Sequence, residues 1–300
     1  MNGTTRKLGL RTAPKVFQKS LGDAWRGDPR VPRGVIQALR VIRAFLACAV
    51  GISTACAPAL STGNGPTPDP RAVQPERPSV ATHAGTVASG YWEIETGGES
   101  DRNADGTRTF AVPTVVKIGV AAAAQLSLFV PALRATGVPL GMGDFGAGVK
   151  WRLVDGDGPL QRFAILPAVK WPTGGERGTP TTDVGLLLID SRTIGVVSLD
   201  INAGLTRHSG HGSSAPRTST LWTVSSAFPA YGPVGWQLEC FGLPGTHGMA
   251  GASPSVAILT GPTLGAWRSF SLDAGVILPI SGPQARAVYA GLVANLGRWR

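Results

Sequence analysis

Regular alternation of apolar and polar residues between Thr193 and Thr206 limits the folds that are open to this chain. Val197 and Leu199 belong to the apolar series, and Asp200 and Asn202 belong to the polar series that alternates with it. Such alternation is typical of a β-strand with two different faces, because successive side chains point to opposite sides. The pattern recurs at strand length along the chain, which indicates a membrane barrel with an apolar outside and a polar lumen.

Two further segments show the alternation clearly. In residues 143–153 the apolar face includes Trp151 and the polar face includes Lys150. In residues 269–278 Ile277 is the one apolar residue on the polar face. A helical period of 3.6 residues fits neither segment. Charged residues on the polar face need water or partners, as a barrel lumen would supply.

The spacing of these segments predicts the fold class: all-β, an antiparallel transmembrane β-barrel of about 12 strands, with 10 or 14 as alternatives. An even number is expected when both ends of the barrel lie in the periplasm, and about ten residues suit a tilted crossing. The strand candidates are residues 86–96, 107–118, 124–133, 143–154, 161–173, 182–190, 192–206, 218–231, 234–243, 251–264, 267–280 and 285–297.

The connections and the tryptophans support the same architecture. Compact turns such as Ser191 and Gly232-Pro233 are expected in the periplasm, and longer polar connections are expected outside the cell. These longer connections are residues 97–106, 174–181, 207–217 and 244–250. Tryptophans near strand ends predict aromatic girdles at the membrane interfaces. They are Trp92, Trp151, Trp171, Trp222, Trp236, Trp267 and Trp299.

The net charge of +10 is concentrated near the beginning of the chain. Residues 1–59 contain ten Lys and Arg against two Asp and Glu, whereas the rest of the chain contains eighteen against sixteen. The basic stretch precedes an apolar run at 44–52 and small residues at 53–59, which is the order of an export signal. A nucleic-acid partner is therefore not predicted, because a nucleic-acid binder keeps a basic patch on its folded domain.

These features divide the chain into an N-terminal extension and export signal at 1–59, a Pro/Gly-rich linker at 60–85 and an outer-membrane β-barrel at 86–300. The linker is too rich in proline to join a sheet and is either a tether or a plug-like tail. Plain cleavage of the signal is favoured over lipid attachment at Cys56. Only Cys240 remains after the leader, so no intramolecular disulfide is expected in the mature chain.

Three stretches carry a family resemblance: Gly141–Lys150, Leu166–Gly174 and Asp200–Leu205. They contain a Gly-x-Gly-Asp…Lys strand and a Pro-Thr-Gly strand end at a characteristic spacing. In these features residues 86–297 resemble the MetA-pathway of phenol degradation family of outer-membrane transporters. The resemblance implies a barrel that passes small molecules, with aromatic or apolar ones as candidates.

Three short motifs suggest cofactor or metal sites, but each lacks a required part. Residues 141–146 have the glycine spacing of a dinucleotide fingerprint, yet a β-pattern follows where a helix is needed. Residues 101–106 match the first half of a calcium loop, but Val112 occupies the position of the bidentate glutamate. His208 and His211 have no third ligand nearby. No cofactor and no metal are therefore predicted.

The sequence predicts a passive channel with no chemical step and no catalytic residues, since no Gly-x-Ser-x-Gly elbow or P-loop is present. Two alternatives stay open. A hydrolase site at the barrel rim would use His208, Ser209 or His247, as some outer-membrane barrels have a histidine and a serine there. A structural or adhesin barrel would show neither flux nor turnover.

The residues that best qualify as lumen or selectivity candidates are the charges on the inward-facing series. They serve either as selectivity groups or as ion pairs that hold the wall. Expected partners are the outer-membrane bilayer, a small-molecule solute, and the export and barrel-assembly machinery. The ten candidates are Glu93, Glu95, Lys117, Asp144, Lys150, Arg152, Lys170, Asp200, Glu239 and Asp273.

Overall fold

The computed structural model describes residues 69–299, except 78, 136–137, 158–160, 210–216 and 247–250. The export signal, Cys48 and Cys56, and the imidazoles of His211 and His247 lie outside the described residues. The division at residues 59 and 85 stays a prediction.

The described chain is almost entirely β-structure. Its one helix is a single 3-10 turn at Gly175–Arg177. No helix in the described part is long and apolar enough to cross a membrane. The strands are β1 (Tyr91–Arg102), β2 (Arg108–Val112), β3 (Thr114–Ala121), β4 (Ala124–Phe129), β5 (Ala132–Ala135), β6 (Val138–Met142), β7 (Gly146–Asp155), β8 (Arg162–Lys170), β9 (Thr182–Ile194), β10 (Val197–Ser209), β11 (Thr218–Tyr231), β12 (Val234–Leu243), β13 (Ser255–Trp267), β14 (Phe270–Ser281) and β15 (Arg286–Arg298).

These fifteen segments build a closed antiparallel barrel of twelve strands, as predicted. The last strand closes the ring by pairing with β1. Three barrel strands are interrupted, so that β2 continues into β3, β4 into β5, and β6 into β7; accordingly β1 pairs with both β2 and β3. Pro113 and Pro131 lie at two of the interruptions, where the missing amide N–H breaks the ladder.

The alternation read from the sequence gives the correct faces. Lys150 is fully buried inside the barrel, whereas its neighbour Trp151 is 55% exposed on the outside. On β10, Asn202 is buried and Leu205 is exposed. Large apolar side chains cover much of the outer wall, and an exposed apolar band of this extent requires a bilayer.

The end of the barrel that carries Tyr91 and Arg298 is called the periplasmic end here, and the opposite end the extracellular end. The described residues of the stretch 69–90 contain no strand; this stretch is called the internal segment, and it lies inside the barrel. It begins at the periplasmic end, where the Val73 amide donates to the Arg268 carbonyl at 2.9 Å. It returns there at Gly90, whose amide donates to Gly119 O at 2.8 Å.

Several expected bounds were wrong: β1 begins at Tyr91 and not at residue 86, β10 continues to Ser209 into the connection expected at 207–217, and two other connections differ. Ser191 lies within β9, and the periplasmic turn occurs at residues 195–196, where Gly195 has a φ of 60°. Residues 97–102, expected in an outer loop, extend β1 by pairing with β15, which leaves a short connection at 103–107. The polar sequence at 97–102 resembles a loop, but pairing with a strand distant in sequence decides its conformation.

Candidate functional site

The lumen is occupied by the internal segment, and the Glu239 carboxylate on β12 is one of its anchors. One carboxylate oxygen of Glu239 accepts the Val80 amide at 2.9 Å, and the other accepts the Ala81 amide at 2.9 Å. The Ser79 hydroxyl also donates to Glu239. A carboxylate that satisfies two successive backbone amides fixes the local path of the chain, because both donors would otherwise be buried without partners.

A second anchor joins β1 and β3 to the start of the segment. Glu93 accepts the Gln74 amide at 2.9 Å, and Glu95 accepts the Glu76 amide at 2.8 Å. Lys117 forms ion pairs with Glu95 at 2.5 Å and Glu93 at 3.6 Å. The sequence-based expectation that opposite charges on adjacent strands pair is correct here. One buried cation thus pairs with two carboxylates, each of which also accepts a backbone amide of the segment.

Lys150 on β7 binds two separate parts of the internal segment. Its ammonium group donates to the carbonyls of His83 at 2.9 Å and Gly85 at 2.8 Å, and it pairs with the Glu76 carboxylate. Because Glu76 lies on the early part of the segment and Gly85 on the late part, this cation ties the two parts together. Its partners are not available from sequence spacing, since they belong to a stretch without any periodic pattern.

Uncharged polar residues supply further anchors that the sequence did not single out. Asn202 on β10 accepts the Thr82 amide at 2.7 Å and donates to the Thr82 carbonyl at 2.9 Å. Ser191 on β9 accepts the Ala84 amide at 2.7 Å and donates to Asp200 at 2.6 Å. Asp200 therefore acts on the segment through Ser191. Inward position on a strand is the only sequence signal these residues carry.

Arg77 of the segment reaches the opposite part of the wall, where it forms an ion pair with Asp273 on β14 at 3.5 Å. Gly97 and Gly291 lie directly beneath its side chain. A β-carbon at Gly97 would lie 2.6 Å from the guanidinium, and one at Gly291 would lie 2.5 Å from it. Glycine at these two positions leaves the space that Arg77 occupies.

Asp144 and Lys170 form a second buried cluster nearer the extracellular end. Their side chains pair at 3.0 Å, and Lys170 also pairs with Asp183 at 3.1 Å. Asp144 accepts the amides of Gly174 at 2.9 Å and Thr179 at 2.8 Å. This carboxylate therefore organises the irregular connection between β8 and β9, on the side of β6 that has no pairing strand among the described residues; the other side of β6 pairs with β5.

Arg152 differs from the other candidates because it lies at the periplasmic rim. Its guanidinium pairs with Asp155 at 3.1 Å and donates to the Ala122 carbonyl at 2.9 Å. Asp200 is half-buried, and the remaining eight candidates are buried in the lumen. The structure thus brings nine of the ten into contact networks inside the barrel and leaves Arg152 at its edge.

His208 belongs to a network that the sequence did not predict. Its Nδ1 lies 2.8 Å from Asp183 Oδ1 on β9, and its Nε2 lies 2.9 Å from Ser219 Oγ on β11. Ser209, considered beside His208 from the sequence, is exposed on the other face of β10. Asp183 and Ser219 occupy inward positions on β9 and β11, the two strands that flank β10, and this placement is the sequence signal that could have identified them.

Two apolar clusters lie inside the barrel together with these polar groups. In the first, Val80 of the internal segment packs against wall residues of β12 to β15. In the second, Ala84 packs against β8 and β9, and Leu221 contacts both clusters. Ile277, the apolar residue on an otherwise polar face, belongs to the first. The wall residues are Phe241, Ala257, Leu259, Ile277, Ala287 and Tyr289 in the first, and Ala164, Leu166, Leu187 and Ile189 in the second.

The connection after β1 is a tight polar turn. The Asp105 carboxylate accepts the Thr107 amide at 2.9 Å and the Thr107 hydroxyl at 2.6 Å. These hydrogen bonds, the hydroxyl first, lower the pKa of Asp105. Within the described residues no group of three or more His, Cys, Asp or Glu side chains could hold a metal ion.

No protein-family model matches this chain, and no curated protein matches it in sequence. Among solved structures, the COG4313 outer membrane channel from Pseudomonas putida F1 superimposes with a TM-score of 0.56 at 9% identity, over 71% of this chain and 98% of that chain. The protein has the fold of an outer-membrane β-barrel. The KdgM porin is also similar, with a TM-score of 0.46 at 11% identity over 67% of this chain and 98% of that chain.

The barrel and its outer surface together place the protein in the bacterial outer membrane. Among the described strands, the closed ring leaves no unpaired sheet edge along its periplasmic half, and the apolar outer wall matches the hydrocarbon layer. Trp151, Trp171, Trp267 and Trp299 are exposed on that wall, as expected of interfacial girdles. The outer-membrane bilayer is therefore the surroundings of the folded chain.

Proposed function

We propose that this protein is a passive channel for small apolar or aromatic molecules, closed at rest by the internal segment, residues 69–90. The observation that carries the proposal is the pair of apolar clusters inside the barrel. The lumen of a water-filled pore is lined mainly by polar side chains. Here Phe241, Leu259 and Ile277 face inward and are covered by Val80 of the segment.

Withdrawal of the internal segment would uncover the apolar wall residues. Leu221 contacts both clusters, so the apolar surface would run from β8 round to β15. A surface of this kind favours an apolar solute over a sugar or an ion, because contact with the wall removes apolar area of the solute from water. This agrees with the solute class that the family resemblance implies.

The charged candidates hold the closed state and would line the open pore. Glu93, Lys150 and Glu239 bind backbone groups of the segment in the closed state. Once the segment leaves, the same groups would face water and set ion preference. Reversing the charge of Lys150 should therefore lower the anion preference of the pore in planar bilayers. Reversing the charge of Arg152 should have the same effect, because Arg152 lies at the pore mouth.

The proposal includes delivery to the membrane. We expect the general export route to carry the chain to the periplasm and the barrel-assembly machinery to insert it, with Trp299 near the terminal strand as the aromatic available for recognition.

The experiment measures block of ion conductance by a small aromatic alcohol in a variant that lacks residues 69–87. We expect benzyl alcohol to reduce the conductance at concentrations where glycerol has no effect. The lumen variant Ile277→Thr should weaken this block several-fold. Ile280→Thr is the matched control on the same strand, because Ile280 faces outward and is 59% exposed. Equal block by benzyl alcohol in the deletion variant and in the same variant carrying Ile277→Thr or Ile280→Thr would contradict an apolar path.

A further inference from the structure

Three polar side chains on adjacent strands form an Asp–His–Ser chain at the extracellular end of the lumen. Asp183 Oδ1 lies 2.8 Å from His208 Nδ1, and His208 Nε2 lies 2.9 Å from Ser219 Oγ. All three residues are buried. We propose that this chain is a nucleophilic site that cleaves short apolar carboxylic esters, with Ser219 as nucleophile and His208 as base.

The order of the atoms supports this assignment. When Nδ1–H of His208 donates to Asp183, the lone pair on Nε2 is available to accept the proton of the Ser219 hydroxyl. This is the relation among nucleophile, base and orienting carboxylate that serine hydrolases share on unrelated folds. A hydrogen-bonded histidine and serine alone would leave the imidazole free to take the other tautomer.

The Asp183 carboxylate is itself held in place. Thr181 donates its hydroxyl to Asp183 Oδ1 at 2.7 Å, and Lys170 pairs with Oδ2 at 3.1 Å. The ion pair with Lys170 holds the orientation of the carboxylate, so Asp183 is a positioning residue for His208. Both ends of the carboxylate thus have partners, and the imidazole receives a fixed orientation.

The strand register explains why the three residues meet. His208 is directly opposite Asp183 across the β9–β10 ladder, and Ser219 is opposite Thr206 across the β10–β11 ladder. Ser219 is therefore diagonal to His208 on the same inward face, within reach of a ring. The His208 amide is also bonded to Arg217 O at 3.0 Å, which ties the ends of β10 and β11 together.

The neighbours of the site favour an apolar substrate. Leu221 lies two residues from Ser219 on the inward face of β11, and Leu187 lies four residues from Asp183 on the inward face of β9. Leu221 packs against both apolar clusters of the lumen. An ester with a short apolar acyl group could place its carbonyl at Ser219 and its hydrocarbon part against these side chains.

The reaction would proceed in two balanced steps. Ser219 Oγ attacks the ester carbonyl while His208 Nε2 takes the hydroxyl proton; the bond to the leaving oxygen then breaks, and His208 returns the proton to the departing alcohol. Water next attacks the acyl-serine and gives its proton to His208, which passes it to Ser219 as the carboxylic acid leaves. Neither step needs an oxidant, a reductant or a metal ion.

The test is covalent labelling of the full chain, extracted from outer membranes in detergent, with a small alkyl fluorophosphonate. Mass spectrometry of the digested protein should find the phosphonyl group on Ser219. Ser219→Ala should abolish labelling, and His208→Asn should slow it by about a hundredfold, the usual contribution of a general base. Ser255→Ala is the matched control, because Ser255 is a buried inward-facing serine at the extracellular end of β13. That variant should label like the natural protein.

Esterase turnover supplies the second measurement. The natural protein should hydrolyse p-nitrophenyl butyrate, Ser219→Ala should lose the activity, and Asp183→Asn should lower it and change its pH profile, as expected when the imidazole loses its orientation. Heat modifiability on gels would establish that each variant barrel is folded. If folded natural protein and Ser219→Ala label and turn over equally, or neither labels at all, the proposal is wrong. Channel activity does not enter either readout, so failure here leaves the channel proposal untouched.

Discussion

The anchoring role of Glu239 allows a quantitative prediction about opening of the channel. Glu239→Gln preserves the shape of the side chain but replaces one carboxylate oxygen by an amide nitrogen. The oxygen that remains can still accept one backbone amide. The other amide, from Val80 or Ala81, would face a second donor inside the barrel. The variant therefore loses the charge of the acceptor and leaves one buried N–H without a partner.

The magnitude follows from these contacts. A hydrogen bond to a charged acceptor contributes about 1.5–3 kcal/mol, and a buried unsatisfied donor costs about 1–3 kcal/mol. A total near 3 kcal/mol is reasonable, because the two contributions overlap. Since about 1.4 kcal/mol corresponds to a tenfold change, the ratio of open to closed states should rise about a hundredfold.

Single-channel recording in planar bilayers measures this ratio directly. Glu176→Gln is the matched control: it removes the same charge from an exposed side chain in the outer connection between β8 and β9. That control should keep the open probability of the natural protein. A folded, heat-modifiable Glu239→Gln barrel with unchanged open probability would refute the view that the internal segment closes the pore through this carboxylate.

Three further predictions follow from other contacts. Lys150→Met removes the link between the two parts of the internal segment, so it should raise the open probability at least as much as Glu239→Gln does. Arg152→Met at the rim is the control, and its open probability should stay within about twofold of the natural protein in the same recordings. Asn202→Ala removes two hydrogen bonds to the segment and should raise open probability about tenfold; no change would contradict its anchoring role. A β-carbon at Gly178 would overlap the Asp144 carboxylate, so Gly178→Ala should lower the stability of the folded barrel by about 1–3 kcal/mol and lower the temperature of heat modification. Gly156→Ala is the control and should change neither, because a β-carbon at Gly156 would meet open space.

Much of the barrel could be predicted because alternation along a strand is a local property. The bounds expected for β11 and β12 agree with the structure to the residue, and the twelve-strand count is correct. The assignment of Lys150 to the inside and Trp151 to the outside needed only the two-residue period. The bounds failed at Ser191, where β9 continues by pairing with the following strand β10. They also failed at residues 97–102, where pairing with the distant β15 extends the ladder past the last clear alternation.

The sequence identified the charged members of the candidate site but not the uncharged ones. Inward charges such as Lys117 and Glu95 could be identified, because a charge on the alternating face stands out, and their pairing follows from adjacent strands. Asn202 and Ser191 could not be identified as anchors, since an uncharged polar residue facing a lumen is ordinary. Asp183 stayed unnoticed because its partner His208 follows it by 25 positions.

The sequence by itself determined which side chains face the membrane and which face the lumen, because successive side chains of a strand point to opposite faces. Only the tertiary structure decided what the lumen contains. The internal segment has no period of its own, and its path is set by groups from the whole ring, among them Glu93, Lys150, Asn202 and Glu239. Barrel closure brings these distant positions around one stretch of backbone, and hydrogen bonds of buried amides and carbonyls then fix where that stretch lies.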